Sequence, residues 1–152
     1  MLQPSSERVP RHTARQINQR IREQTEANVE CFASGDEQAI ENRLDQLDRE
    51  WDVERTLEAN AAAIGLVGIA LAAWNRKWLL LPAAVSTFLL QHALQGWCPP
   101  LPVLRRMGFR TRREIDREKF ALKTLRGDFH SALSFAKPDK AVVSKVLEAV
   151  SR

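Results

Sequence analysis

The stretch that decides the fold is ANAAAIGLVGIALAAW (Ala59–Trp74), NRK (Asn75–Lys77) and WLLLPAAVSTFLLQHALQGW (Trp78–Trp97). Across it the only formal charges are the adjacent Arg76 and Lys77. As helices rising 1.5 Å per residue, the two apolar runs measure about 24 Å and about 30 Å, against a bilayer hydrocarbon core of about 30 Å. The first reaches across when Arg55–Glu58 point their charges outward and lend another turn. Trp51 precedes the first run, Trp74 and Trp78 bracket the loop, and Trp97 ends the second run. Membrane interfaces favour amphipathic rings at such positions. Two helices buried in a soluble core would also be apolar, but that reading does not explain the tryptophan placement or the near-absence of charge.

The expectation is therefore an all-α membrane protein: a two-helix transmembrane hairpin (59–74 and 78–97) with cytoplasmic helical extensions. The loop is too short for anything but an antiparallel pair, so both termini share one side. The positive-inside rule counts Lys and Arg near the span ends. Arg43, Arg49, Arg55, Arg105, Arg106, Arg110, Arg112, Arg113 and Arg117 outnumber the loop's Arg76 and Lys77 by nine to two, which makes both termini cytoplasmic.

Outside the hairpin the chain is strongly charged, and the formal net charge of +4 hides its distribution. Residues 1–58 hold 8 Lys or Arg against 13 Asp or Glu, and residues 98–152 hold 13 against 6. Three compartments follow: 1–58, a polar acidic N-terminal helical region; 59–97, the hairpin; and 98–152, a basic cytoplasmic helical tail. The first thirty residues lack the apolar run of a secretory signal, so the first span is expected to serve as its own targeting signal.

Residues 1–10, with two prolines and two serines, read as a disordered lead. A helix is predicted over 13–33, with only a thin apolar face at Ile17, Ile21, Val29 and Phe32. Ser34 and Glu37 have capping-box spacing and should open a helix carrying Ile40, Leu44, Leu47 and Trp51 on one stripe. After the hairpin, Cys98-Pro99-Pro100-Leu101-Pro102 reads as a stiff extended exit. Thr111 and Glu114 repeat the capping box and start a basic helix that Gly127 stops. Pro138 opens a last amphipathic helix through Val142, Val143, Val146, Leu147 and Val150.

Four features bear on function. Residues 36–58 carry nine Asp or Glu against three Lys or Arg, and residues 105–126 carry the reverse, nine basic against three acidic. The basic helix has two natural counterparts, the acidic helix and anionic lipid headgroups. No stacking aromatics accompany its arginines, so nucleic acid is not expected. Ala61, Gly65, Gly68 and Ala72 supply small residues at four-residue spacing in the first span. They are interface candidates either toward the second helix or toward a second copy in a homodimer. Gln91, His92, Gln95, Trp97 and Cys98 form a polar mouth at the end of the second span, where a small pocket or simple interfacial hydrogen bonding would both suit them. Cys31 and Cys98 lie far apart and in no metal-ligand spacing, so neither a metal nor a cofactor is expected.

Gly96-Trp97-Cys98-Pro99, closing the second of two short spans, resembles the YgaP-like inner-membrane domain family, as do the Glu54-Arg55 approach and the Asn60-containing entry to the first span. The resemblance covers about residues 53–108. It implies a bacterial cytoplasmic (inner) membrane protein with a multi-pass hairpin that can dimerise, and no established activity for the domain alone. Some relatives carry a rhodanese domain, but residues 1–52 and 109–152 lack its βαβ alternation and active-site loop. Sulfur transfer is therefore not carried over. The expectation is a non-enzymatic dimeric scaffold or adaptor that displays charged helices to a cytoplasmic partner. The alternative is a membrane-bound thiol carrier using Cys98, whose pKa would fall if Arg105 or Arg106 approached.

Overall fold

The computed structural model describes residues 7–129, and the helix expected from Pro138 lies outside them. Every regular element among the described residues is helical: α1 (Arg8–Arg11), α2 (Arg15–Ala33), α3 (Glu37–Arg49), α4 (Val53–Ala72), a 3-10 turn (Arg76–Leu79), α5 (Leu80–Gln95), α6 (Leu101–Arg106) and α7 (Arg112–Arg126). They divide into two compact units, one from residues 7–24 and 50–115, the other from 25–49 and 116–129.

The first unit is built on α4 and α5. The carboxylate of Asp52 accepts the Arg55 amide at 2.7 Å, which fixes the helix start at Val53. The helix therefore runs through the Arg55–Glu58 turn that the 59–74 span was expected to borrow: α4 has 20 residues and is about 30 Å long. Its first turns tolerate polar residues because their side chains fold back on the helix. Thr56 Oγ1 donates to the Asp52 carbonyl and Asn60 Nδ2 to the Thr56 carbonyl, each at 2.8 Å. At the far end the Asn75 side chain accepts the Lys77 amide at 3.0 Å and caps the 3-10 turn leading into α5. The second helix thus begins at Leu80 and ends at Gln95, inside the expected 78–97.

From Leu57 on, the less exposed positions of α4 are Leu57, Ala61, Gly65, Gly68, Leu71 and Ala72, and those of α5 include Leu81, Pro82, Val85, Leu89 and His92. Three- and four-residue spacing puts each set on one helix face. The helices approach most closely at Gly68, where an added Cβ would lie 2.6 Å from Pro82 Cδ and 3.3 Å from Leu81 Cβ. Their other faces are exposed and apolar, including Leu66, Val67 and Ile69 on α4 and Leu80, Leu90 and Leu94 on α5. The helical stretch Glu37–Ala72, whose apolar part is α4, is long and apolar enough to cross a membrane, and only 17% of its apolar 18-residue window is buried.

Helix α5 stops at Gly96, whose φ of +79 belongs to the left-handed region where glycine is favoured. A Cβ there would lie 2.8 Å from the Arg8 carbonyl carbon and 3.0 Å from its Cα, because α1 lies on this turn. Val9 then joins Val53, Leu57, Cys98 and Leu101 in a buried cluster flanked by Leu104 and Phe109. Residues 8–10 are therefore not a disordered lead; burial of Val9 holds them in place. The proline-rich exit is not extended either, since Pro102 occupies the first turn of α6, where its missing N–H costs no helical bond.

In the second unit, α3 is capped by Asp36 and not by Ser34. Asp36 Oδ1 accepts the Ala39 amide at 2.8 Å, while the Ser34 hydroxyl donates to the Cys31 carbonyl at the end of α2. Ile40, Leu44 and Leu47 are buried as the stripe requires. Trp51 does not belong to that stripe: α3 ends at Arg49, and in the first unit the exposed Trp51 ring lies 4.6 Å from the Arg55 guanidinium. In the first unit, the Thr111/Glu114 capping box forms in both directions, with Thr111 N donating to Glu114 Oε2 at 2.8 Å and Glu114 N to Thr111 Oγ1 at 3.3 Å.

Candidate functional site

The candidate region is the end of the hairpin where α4 begins and α5 finishes. Of the expected polar mouth, His92 and Cys98 are buried, Gln91 and Trp97 are half-buried, and Gln95 is exposed. They do not share one environment. His92 faces inward, with Arg8 and Glu58 within electrostatic reach, and its Nδ1 has no hydrogen-bond partner among the described residues. Cys98 belongs to the apolar cluster around Val53 and Leu101. Burial pushes its thiol up from the ordinary value, and the Leu101 amide offsets this only in part. A raised thiol in apolar surroundings is held as the neutral S–H and is a poor nucleophile.

Arg105 does not activate Cys98, because its donors are committed elsewhere. Only 1% exposed, it makes a bidentate pair with Glu114 at 2.7 and 2.8 Å. It also donates to Asn18 Oδ1 at 2.9 Å, to the Phe109 carbonyl at 3.0 Å and to Thr13 Oγ1 at 3.2 Å. Burial raises the Glu114 carboxyl, but bonds from Arg105 and Thr111 together with the Arg105 charge outweigh it and hold the group below the usual carboxylate value. The clasp ties α2, α6 and α7 together within the first unit. Arg105 is thus withdrawn from the basic surface expected to face lipid.

The small-residue stripe of α4 turns toward α5. Gly68 makes the close approach, Ala61 and Ala72 are partly covered, and beside Gly65 nothing lies within 4 Å of where a Cβ would stand. The oppositely charged segments pair inside the chain. In the second unit Lys119 pairs with Asp48, and Arg43 donates to the fully buried Glu118 at 2.8 Å. In the first unit Arg110 pairs in bidentate fashion with Glu50. The Arg43 pair reverses the expected polarity, with the basic residue on the acidic helix.

Sequence reasoning missed Arg8, which donates from Nη1 to the Ala93 carbonyl at the open end of α5. Nothing local marks that role, since it exists only once the Gly96 turn has formed. Glu114 was legible as a cap, but its second task of neutralising Arg105 was not. Among the described residues no group of three or more His, Cys, Asp or Glu could hold a metal ion. No family model, no curated protein and no solved structure matches the chain.

Proposed function

We propose that the α4–α5 pair spans a bacterial cytoplasmic membrane as a hairpin, with both termini cytoplasmic, and that the chain is a non-enzymatic scaffold displaying ion-paired helices to a cytoplasmic partner. The observation that carries this reading is the exposure of α4: a helix that apolar inside a soluble protein would be mostly covered, and its window is 17% buried. Dimensions support it as well. Helix α5 contributes about 24 Å, and the four residues of the 3-10 turn add about 8 Å, together about the thickness of the hydrocarbon core. Trp74, 89% exposed, and Trp78 stand at the loop end, while Trp51 and Trp97 stand at the other, as an interfacial belt requires. The Gly96-Trp97-Cys98-Pro99 resemblance to the YgaP-like domains agrees with this placement.

In this reading a homodimer forms through the lipid-facing sides of α4 and α5, because α5 already occupies the closest approach of the stripe, at Gly68. Burial of Cys98 favours a scaffold over a thiol carrier. Alkaline carbonate washing of membranes from an expressing bacterium tests the proposal: the chain should stay in the pellet, and release with peripheral proteins would sink it. Cys98→Ser should change no cellular phenotype and remove no persulfide or sulfenate signal. A lost signal would restore the carrier reading.

A further inference from the structure

Arg105 and Arg106 are adjacent and point to opposite fates. Arg105 is sealed inside with Glu114, whereas Arg106 is exposed and has no carboxylate partner among the described residues. Arg106 does not stand alone. Val103, 56% exposed, lies three residues before it and Met107, 69% exposed, directly after it. On one turn of helix these three side chains form a single outward face, apolar with one cation. The opposite face, Leu101, Leu104 and Arg105, packs into the first unit. This short amphipathic helix begins at Leu101, six residues after the last residue of α5. Across the hairpin's same end, Arg55 lies over the exposed Trp51 ring.

We propose that α6 is an interfacial foot that binds anionic phospholipid headgroups, with Arg106 on the headgroup phosphate and Val103 and Met107 seated among the upper acyl chains. The proposal rests on the membrane reading above and names its lipid partner. One placement and one observation select a lipid surface over other occupants. In the membrane reading the chain leaves the bilayer immediately before α6, so this face emerges at headgroup level; and the face itself pairs the exposed Arg106 with the exposed Val103 and Met107, as interfacial helices do. A basic side chain at such a surface enhances association with anionic lipid about fivefold, and salt weakens the effect.

The test uses the full chain carrying Cys31→Ser and Val103→Cys, labelled at position 103 with a fluorophore and reconstituted into phosphatidylcholine vesicles containing phosphatidylglycerol. Quenching by brominated phosphatidylglycerol is compared with quenching by brominated phosphatidylcholine. The expected result is a clear preference for the anionic quencher at low salt. Arg106→Gln should reduce that preference about fivefold, and Arg106→Lys should retain most of it. Equal quenching by both lipids in the unsubstituted background overturns the proposal while leaving the hairpin intact, provided the chain resists carbonate. Shielding from both lipids that deepens with protein-to-lipid ratio also overturns it, by showing a second copy on the face. A chain released by carbonate overturns the foot and the hairpin together.

Discussion

Gly65 and Gly68 lie three residues apart on one side of α4, yet only one of them is required by its surroundings. A methyl at Gly68 meets Pro82 Cδ at 2.6 Å, so Gly68→Ala should separate the helices and cost about 1–3 kcal/mol. A methyl at Gly65 meets nothing within 4 Å, so Gly65→Ala should be neutral or stabilising by up to about 1 kcal/mol. Thermal unfolding of the two variants in detergent micelles checks the contrast. Arg105 and Glu114 give a second expectation at this scale. Removing either partner leaves a buried charge uncompensated, so Glu114→Gln should cost about 3 kcal/mol. The folded Glu114 carboxyl sits below the ordinary carboxylate value, so its stabilisation is fully present above that ordinary value. It is lost as pH falls through the lower folded value. An acid titration of the unfolding midpoint should therefore show a drop in the acidic range that Glu114→Gln makes smaller.

At the scale of elements, local chemistry was legible and long-range support was not. Thr111 and Glu114 announce the start of α7 because both halves of that cap lie within four residues. Ser34 announced α3 with equal spacing, but its hydroxyl serves the end of α2 and Asp36 takes the cap. Competing cap residues two positions apart cannot be ranked from spacing alone. Asp36→Ala should therefore cost about 1 kcal/mol and Ser34→Ala much less, as circular dichroism melts would register. The apolar run from Ala59 was legible, but the cap that starts α4 was not. Asp52 and the folded-back side chains of Thr56 and Asn60 let the helix run through the charged sequence before that run. Helix α1 was invisible because its reason for folding, the glycine turn after α5, lies far along the chain. Gly96→Ala should strain the turn, displace Arg8 from the Ala93 carbonyl and raise hydrogen exchange around Val9.

On the scale of the whole chain, the uncharged centre and the opposite charge of its flanks are plain in the sequence. The specific pairs are not, because they depend on helix register. Asp48–Lys119 follows the charge pattern, whereas Arg43–Glu118 runs against it and was accessible only from the structure. The mouth residues show the same division. Their position at the end of α5 was legible, but which of them turn inward was decided by packing against Val9 and Arg8. The central proposal is that both ends of the hairpin share the cytoplasmic side, and thiol accessibility tests it most directly. A cysteine introduced at Asn75 should react with a membrane-impermeant maleimide in intact cells. The exposed Cys31 should react only in inverted vesicles, and the buried Cys98 only after unfolding. Labelling of positions 31 and 75 from the same side of the membrane would contradict the hairpin.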